Sequence, residues 1–221
     1  FGMILMEFLR MPYLSTAEFQ RMVKINENSE KLMSSVNNGI IVTGHLGNWE
    51  LISKAMAFFN LPFTVVVQKQ KNTGFDKFIT WLRQSTQAEV ISKNSFSRKF
   101  IKSCQDGGFI GLVSDQNAGP DGILVNFWGR TTSIPRGAFH YHLKYNLPII
   151  FCFSLLNEDF TYNISFHQLN YSELPKERNE AVKFLAQKYV DCLEESIKRK
   201  PEQYFWFHRI WKYPKNTAAG N

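Results

Sequence analysis

Cysteine is scarce. The three residues, at 104, 152 and 192, stand alone among apolar neighbours, and no Cys-x-x-Cys occurs, so neither a zinc ribbon nor a disulfide framework is indicated and a reducing compartment is the simpler reading. No apolar run reaches the ~18 residues of a membrane-spanning helix. The longest lies around Leu147 to Leu156. The His-Glu-x-x-His helix of zinc hydrolases is missing, and the chain has no Gly-x-Ser-x-Gly nucleophile elbow. These absences leave metal hydrolysis and serine-type acyl-enzyme chemistry without their usual residues. Recognised DNA- or RNA-binding motifs are also lacking, and the basic residues are dispersed rather than striped.

What is present suits one sizeable core. The chain has 221 residues, 44% hydrophobic and 20% charged, a globular composition. Its 20 Phe and 5 Trp exceed the needs of a modest core, which leaves some to line an apolar groove or meet a bilayer. The net charge of +7 favours an anionic partner: nucleic acid, anionic lipid or an acidic carrier protein.

The most informative stretch is Ile40-Ile41-Val42-Thr43-Gly44-His45-Leu46-Gly47-Asn48-Trp49-Glu50. An apolar, β-branched run reads as a buried strand, and Leu51, Ala55 and Phe58 continue as a helix. His45 falls in the turn between them, at the strand end where α/β folds bind ligands. Gly44 and Gly47 flank it, suiting a bent backbone approached closely by a ligand. Glu50 follows at a spacing that can bring its carboxylate behind the imidazole, fixing the tautomer for general-base work. No second His or Cys lies near enough to complete a metal site.

His45-Leu46-Gly47-Asn48-Trp49-Glu50 resembles the His-x4-Asp/Glu block of the lysophospholipid-acyltransferase superfamily, in the form found in its lipid A late-acyltransferase branch of lauroyl and myristoyl transferases. Two further blocks resemble the same branch. Asp115-Gln116, Phe127, Gly129 and Thr132 match a central block, with Trp128 where many members have Phe. Trp206-Phe207-His208-Arg209-Ile210-Trp211-Lys212 matches a terminal Trp-x-His-Arg-Arg-Trp-Lys signature, with Ile210 replacing the second Arg. The three blocks occur in the family order, from about Gly39 to Lys212.

The expected fold is α/β, a single domain with a mixed, mostly parallel sheet covered by helices, of the glycerol-phosphate-acyltransferase type that the resemblance implies. Residues 1–38 are read as N-terminal helices, 39–213 as the acyltransferase domain and 214–221 as a tail. The chain starts at Phe1 rather than Met, so upstream residues are expected, and the resemblance implies that they include a hydrophobic anchor helix. An amphipathic helix ends near Pro12. The capping box Ser15-Thr16-Ala17-Glu18 opens a helical stripe continuing through Phe19, Met22, Val23, Leu32, Met33 and Val36. Strands follow at Phe63–Val67, Glu89–Ile91 and Phe109–Val113, with helices at Phe75–Leu82, Arg83 on the outer side, and Phe96–Cys104. The stretch from Ser114 to Pro135 reads as a long irregular loop of the kind that carries function. Beyond it come a helix from Gly137 to Tyr145, strands Pro148–Ser154 and Phe160–Gln168, the latter antiparallel or at an edge, and a helix from Ala181 to Lys200. His140 and His142, two apart, fall on different helix faces.

The resemblance implies transfer of a fatty acyl group from a thioester, of acyl carrier protein preferably or of CoA, to a hydroxyl of a lipid A precursor, without a resident cofactor. His45 is the implied base and Glu50 its assistant, acting by direct transfer in a ternary complex. Substrate binding is expected at Asn48, Asn72, Arg83, Asp115, Gln116, Arg130, Arg136 and Arg209, with Arg98 and Lys99 as further phosphate candidates. Gln68 stands where family members often have an Arg, which bears on head-group selectivity. The expected location is the cytoplasmic face of the inner membrane, with the membrane surface and a glycolipid acceptor as partners and no nucleic acid. Acylation of another glycolipid or a lysophospholipid, and a non-catalytic nucleic-acid- or membrane-binding role, are the alternatives.

Overall fold

The computed structural model describes residues 2–93 and 107–212. Helix α1 (Gly2–Arg10) is followed by a 3-10 turn through Pro12, and α2 (Thr16–Met22) begins at the expected capping box. There the Ser15 hydroxyl accepts from the Glu18 amide, and the Glu18 carboxylate accepts from the Ser15 amide. The helical stripe does not continue as the spacing predicts. Val23–Ile25 forms a short strand, β1, whose β-branched residues find ladder partners at Tyr162 and Ile164, and Asn26 caps a new helix, α3 (Glu27–Ser35).

The central unit is as expected: β2 (Gly39–Thr43), a turn holding His45, then α4 (Leu51–Phe58). After it come β3 (Phe63–Val67), α5 (Thr73–Gln84), β4 (Glu89–Ser92) and β5 (Phe109–Val113). The helix expected over Phe96–Cys104, with Arg98 and Lys99, lies outside the described residues, as does the tail at 214–221. The stretch read as an irregular loop instead contains a hairpin, β6 (Ile123–Phe127) and β7 (Arg130–Ile134). Its two-residue turn, Trp128-Gly129, has positive φ at both positions, 54° and 72°. This matches the twist of the flanking strands, but Trp in place of Asn or Asp hides the turn from a sequence reading. Helix α6 (Gly137–Tyr145), strands β8 (Ile149–Leu156) and β9 (Tyr162–Gln168), and the long helix α7 (Arg178–Arg199) complete the fold. Phe160 precedes β9 in a left-handed turn, φ 60°.

Seven strands form one sheet in the order β1-β9-β8-β2-β5-β3-β4. From β8 to β4 every pairing is parallel. β9 runs antiparallel to β8 as the alternation predicts, but β1 lies beyond it and takes the edge. All of β2 is buried, as befits a central parallel strand covered on both faces. Ile40 and Val42 point into a core shared with Phe151, Leu185 and Tyr189 beneath α6 and α7. Ile41 points into the opposite core with Leu51, Phe109 and Ile164 beneath the earlier helices. Together these show a single-domain α/β fold, to which residues before 38 contribute an edge strand.

Candidate active site

Adjacency of β2 and β5 creates the site. Their register sets Thr43 opposite Val113, so the residues two positions further on, His45 and Asp115, emerge side by side at the carboxyl ends of the strands. Asp115 accepts from the His45 backbone N–H at 2.7 Å through one oxygen and contacts the ring Nδ1 at 2.8 Å through the other. A carboxylate only accepts, so Nδ1 carries the proton and Nε2 presents its lone pair. The Asp115 side chain is 1% exposed and that of His45 18%, so the carboxylate is sealed inside while the imidazole keeps some exposure.

The turn is shaped by its glycines. Gly47 has φ 57°, and a Cβ there would overlap the Ser154 carbonyl oxygen. A Cβ at Gly44 would crowd the Tyr189 hydroxyl and Asp115. The C-terminal strap fastens the turn from outside. Gly47 N donates to Gln203 O at 3.0 Å, Phe205 N to His45 O at 2.9 Å, and Leu46 bridges Tyr204. The hairpin and the segment before it hold the strap in turn: Thr132 Oγ1 of β7 and Asn117 Nδ2 both donate to Ile210 O, and Trp211 Nε1 donates to Phe127 O. The Phe-x-Gly turn and Thr132 thus act on the site through the strap.

Glu50 is placed differently from expectation. Its carboxylate takes Nε and Nη2 of Arg83 at 3.0 and 2.6 Å, a two-point ion pair that lines one small apolar cleft with Trp49, Thr43 and Val67. Asp115, not Glu50, orients the imidazole. Arg83 accordingly turns inward instead of lying on the outer side of α5, with its guanidinium 5.7 Å from the centre of the Phe8 ring.

Two residues not picked out as site residues from the sequence meet the dyad. The Tyr204 hydroxyl hydrogen-bonds Asp115, and burial, followed by that carboxylate's charge, drives its pKa far upward. His208 lies 5.1 Å from His45, ring centre to ring centre, and both Nε2 atoms face the amide nitrogen of Gln116, at 2.6 Å for His208 and 3.2 Å for His45. Burial and the neighbouring His45 lower the His208 pKa, with Asp115 opposing. The terminal block Trp206–Lys212 was the available signal for His208, and Tyr204 stands two residues before it.

The model for a family described as bacterial lipid A biosynthesis acyltransferase matches residues 1–213. The chain belongs to that family. It is an acyltransferase of lipid A biosynthesis, an enzyme acting on lipid. No curated protein matches the chain significantly.

Other candidates in this acyltransferase lie apart from His45. Asn48 is fully buried and donates to Glu7 of α1 at 2.7 Å, while Asn72 caps α5 by accepting from Phe75 N. Arg130 lies over the Trp211 ring at 4.6 Å, Arg136 meets Asn179, and Arg209 is exposed on the strap. His142 is buried between Leu147 O and the Tyr171 hydroxyl. Among the described residues there is no group of three or more potential metal ligands, and no helix is long and apolar enough to cross a membrane.

Proposed function

We propose that this enzyme moves a fatty acyl group from a thioester directly to a hydroxyl on an acyl chain of a lipid A precursor, with His45 as general base and Asp115 as its orienting partner. The observation that carries the reading is the Asp115–His45 dyad at the carboxyl ends of β2 and β5, with one ring nitrogen fixed on a buried carboxylate and the other facing, among the described residues, only the Gln116 amide at 3.2 Å. A hydroxyl attacks a thioester well only as its proton leaves. A neutral imidazole beside it takes that proton, the carboxylate stabilises the imidazolium, and the departing thiolate recovers the proton.

A ternary complex is favoured over an acyl-enzyme. The described cysteines, Cys152 and Cys192, both have thiol pKa values raised by burial, which disfavours the nucleophilic thiolate, and the neighbour of His45 Nε2 is an amide rather than a hydroxyl. Glu50 holds Arg83 at the cleft, where the guanidinium can also meet an anionic group of a substrate. Acyl carrier protein is the preferred donor, since its acidic surface complements a chain of net charge +7. A membrane surface is the proposed working place. Met3 and Met6 on α1 and Phe75, Phe78 and Trp81 on α5 are exposed, an apolar excess that a lipid interface would cover. The cytoplasmic face of the inner membrane is where donor and acceptor would meet.

Gln68, in place of a frequent Arg, favours a second reading in which the acceptor has a different head group. Both readings are tested by mass spectrometry of Kdo2-lipid IVA and lysophospholipid acceptors, with acyl carrier protein and CoA thioesters offered in parallel to wild type and His45→Ala. The first reading predicts a gain of one acyl group on the lipid A precursor that disappears in the variant. A gain confined to the lysophospholipid supports the second, and equal gains with and without His45 would defeat both.

A further inference from the structure

The acyl-transfer chemistry above leaves one contact at the dyad unused. The Gln116 amide nitrogen stands between two imidazoles. Because His45 commits its proton to Asp115, its Nε2 must be met by a donor, which fixes the NH2 end of the amide toward the rings. That group has two N–H bonds, one for each imidazole. The contacts are unequal: 2.6 Å to His208 is an anchor, whereas 3.2 Å to His45 is a loose hold.

A substrate hydroxyl giving its proton to His45 takes the place of that looser N–H. The carbonyl carbon it attacks is then joined to the hydroxyl oxygen, so negative charge develops on the carbonyl oxygen next to the freed donor. His208 meanwhile holds the amide still. It is itself fixed by the strap, with the Phe205 ring edge-on to it at 4.6 Å and the Phe205 amide bonded to His45 O.

We propose that Gln116 is the oxyanion donor of the acyl transfer and that His208 is its positioning residue. The proposal rests on the acyl-transfer reading with His45 as base. As the O–C bond forms, the hydroxyl proton passes to His45 Nε2 and the carbonyl π pair moves onto oxygen, where the Gln116 N–H meets it. The pair then returns, the C–S bond breaks, and the thiolate takes the proton from the imidazolium. Charge that appears only in the transition state makes this donor raise kcat more than it tightens binding.

The test compares single-turnover transfer from a lauroyl thioester of the active carrier and from its dithioester analogue, whose C=S is a poor hydrogen-bond acceptor. Wild type, His45→Ala, Gln116→Ala, Gln116→Glu, His208→Gln and His208→Phe are assayed. Gln116→Ala is expected to slow the thioester reaction about 10²–10³-fold, the cost of one oxyanion donor. It is also expected to lose most of the wild-type preference for the thioester over the dithioester, which a merely structural role would not move. The isosteric Gln116→Glu, unable to donate when ionised, behaves alike if Ala perturbs folding. His208→Phe shows a smaller loss that His208→Gln, which keeps an acceptor, partly restores. A folded Gln116→Ala enzyme with wild-type rate, or one slowed with unchanged preference, overturns the proposal while loss of activity in His45→Ala keeps the parent reading intact. Equal activity of wild type and His45→Ala would overturn the parent reading, and this proposal with it.

Discussion

His45, in the turn after the central strand β2, and His142, on helix α6, are both hydrogen-bonded histidines, and only one is available for chemistry. His142, in the last turns of α6, meets the Leu147 carbonyl with Nδ1 and the Tyr171 hydroxyl with Nε2, which leaves no ring nitrogen for a substrate. His45 also has Nδ1 engaged, but by a carboxylate, and among the described residues its Nε2 meets only the long contact of 3.2 Å from the Gln116 amide. Burial and hydrogen bonding alone therefore do not mark a catalytic histidine. A committed nitrogen backed by charge, with the other nitrogen displaceable, does.

The largest effect that would break this contrast is on turnover. His45→Ala should lower kcat by about 10²–10⁴, the usual worth of a positioned base, without loss of fold. His142→Ala should leave turnover per folded molecule unchanged. It strands the Leu147 carbonyl and Tyr171 hydroxyl, costing about 1–3 kcal/mol, and calorimetry should show a lower Tm. If the two variants lost activity alike, the distinction would fail.

Next in size is Gly47→Ala. The added Cβ overlaps the Ser154 carbonyl, and φ 57° disfavours any side chain, so the His45 turn must shift. A loss of about 3 kcal/mol in urea unfolding is expected, combining backbone strain with overpacking. An unchanged midpoint would show that the turn is not pinned there.

Glu50→Gln sharpens the comparison from another side. If Glu50 oriented His45, its loss would approach that of the base. With the carboxylate instead committed to Arg83, kcat should fall no more than about tenfold, or ~1.4 kcal/mol, while Tm falls because Arg83 loses its charge partner. Rates and melting curves of one preparation decide between these.

The smallest effect is with pH. Burial holds His208 neutral in the folded protein below the usual histidine range. As pH falls below ~6.5 the unfolded chain binds a proton that the folded one refuses, so stability declines until pH passes the lowered folded value and then levels off. His140 and His167, also lowered by burial, act in the same direction. Urea midpoints between pH 7.5 and 5 should fall, and His208→Gln should flatten part of the slope. A midpoint rising toward acid would reverse the sign.

Local patterns carried most of the fold. The buried run through β2, the alternation in β9 and the helical spacing in α7 each follow from one segment meeting one core, so each is visible within its own residues. β1 was hidden because Val23 and Ile25 fit a helical stripe, and only the distant β9 edge makes strand pairing the better use of them. The β6–β7 turn was hidden by Trp128, an unusual residue at positive φ. At the site, the residues at the dyad came from motif blocks, but their pairing did not. His45 and Asp115 are 70 positions apart and meet only because β2 lies beside β5 in the observed register, whereas Glu50 was the nearer carboxylate in sequence. Arg83 reached Glu50 for the same kind of reason, through packing of α5 that periodicity alone leaves undetermined.

The central claim is that Asp115 makes His45 a base, and the most direct measurement is the single-turnover rate of acyl transfer by Asp115→Asn beside wild type at pH 7.5, with circular dichroism on both. An amide there can donate to the ring and favour the wrong tautomer, so the account predicts a folded enzyme slowed by about 10³–10⁴. A folded Asp115→Asn enzyme transferring within about twofold of wild type, far inside the ~10²-fold minimum for a positioned base, would contradict it.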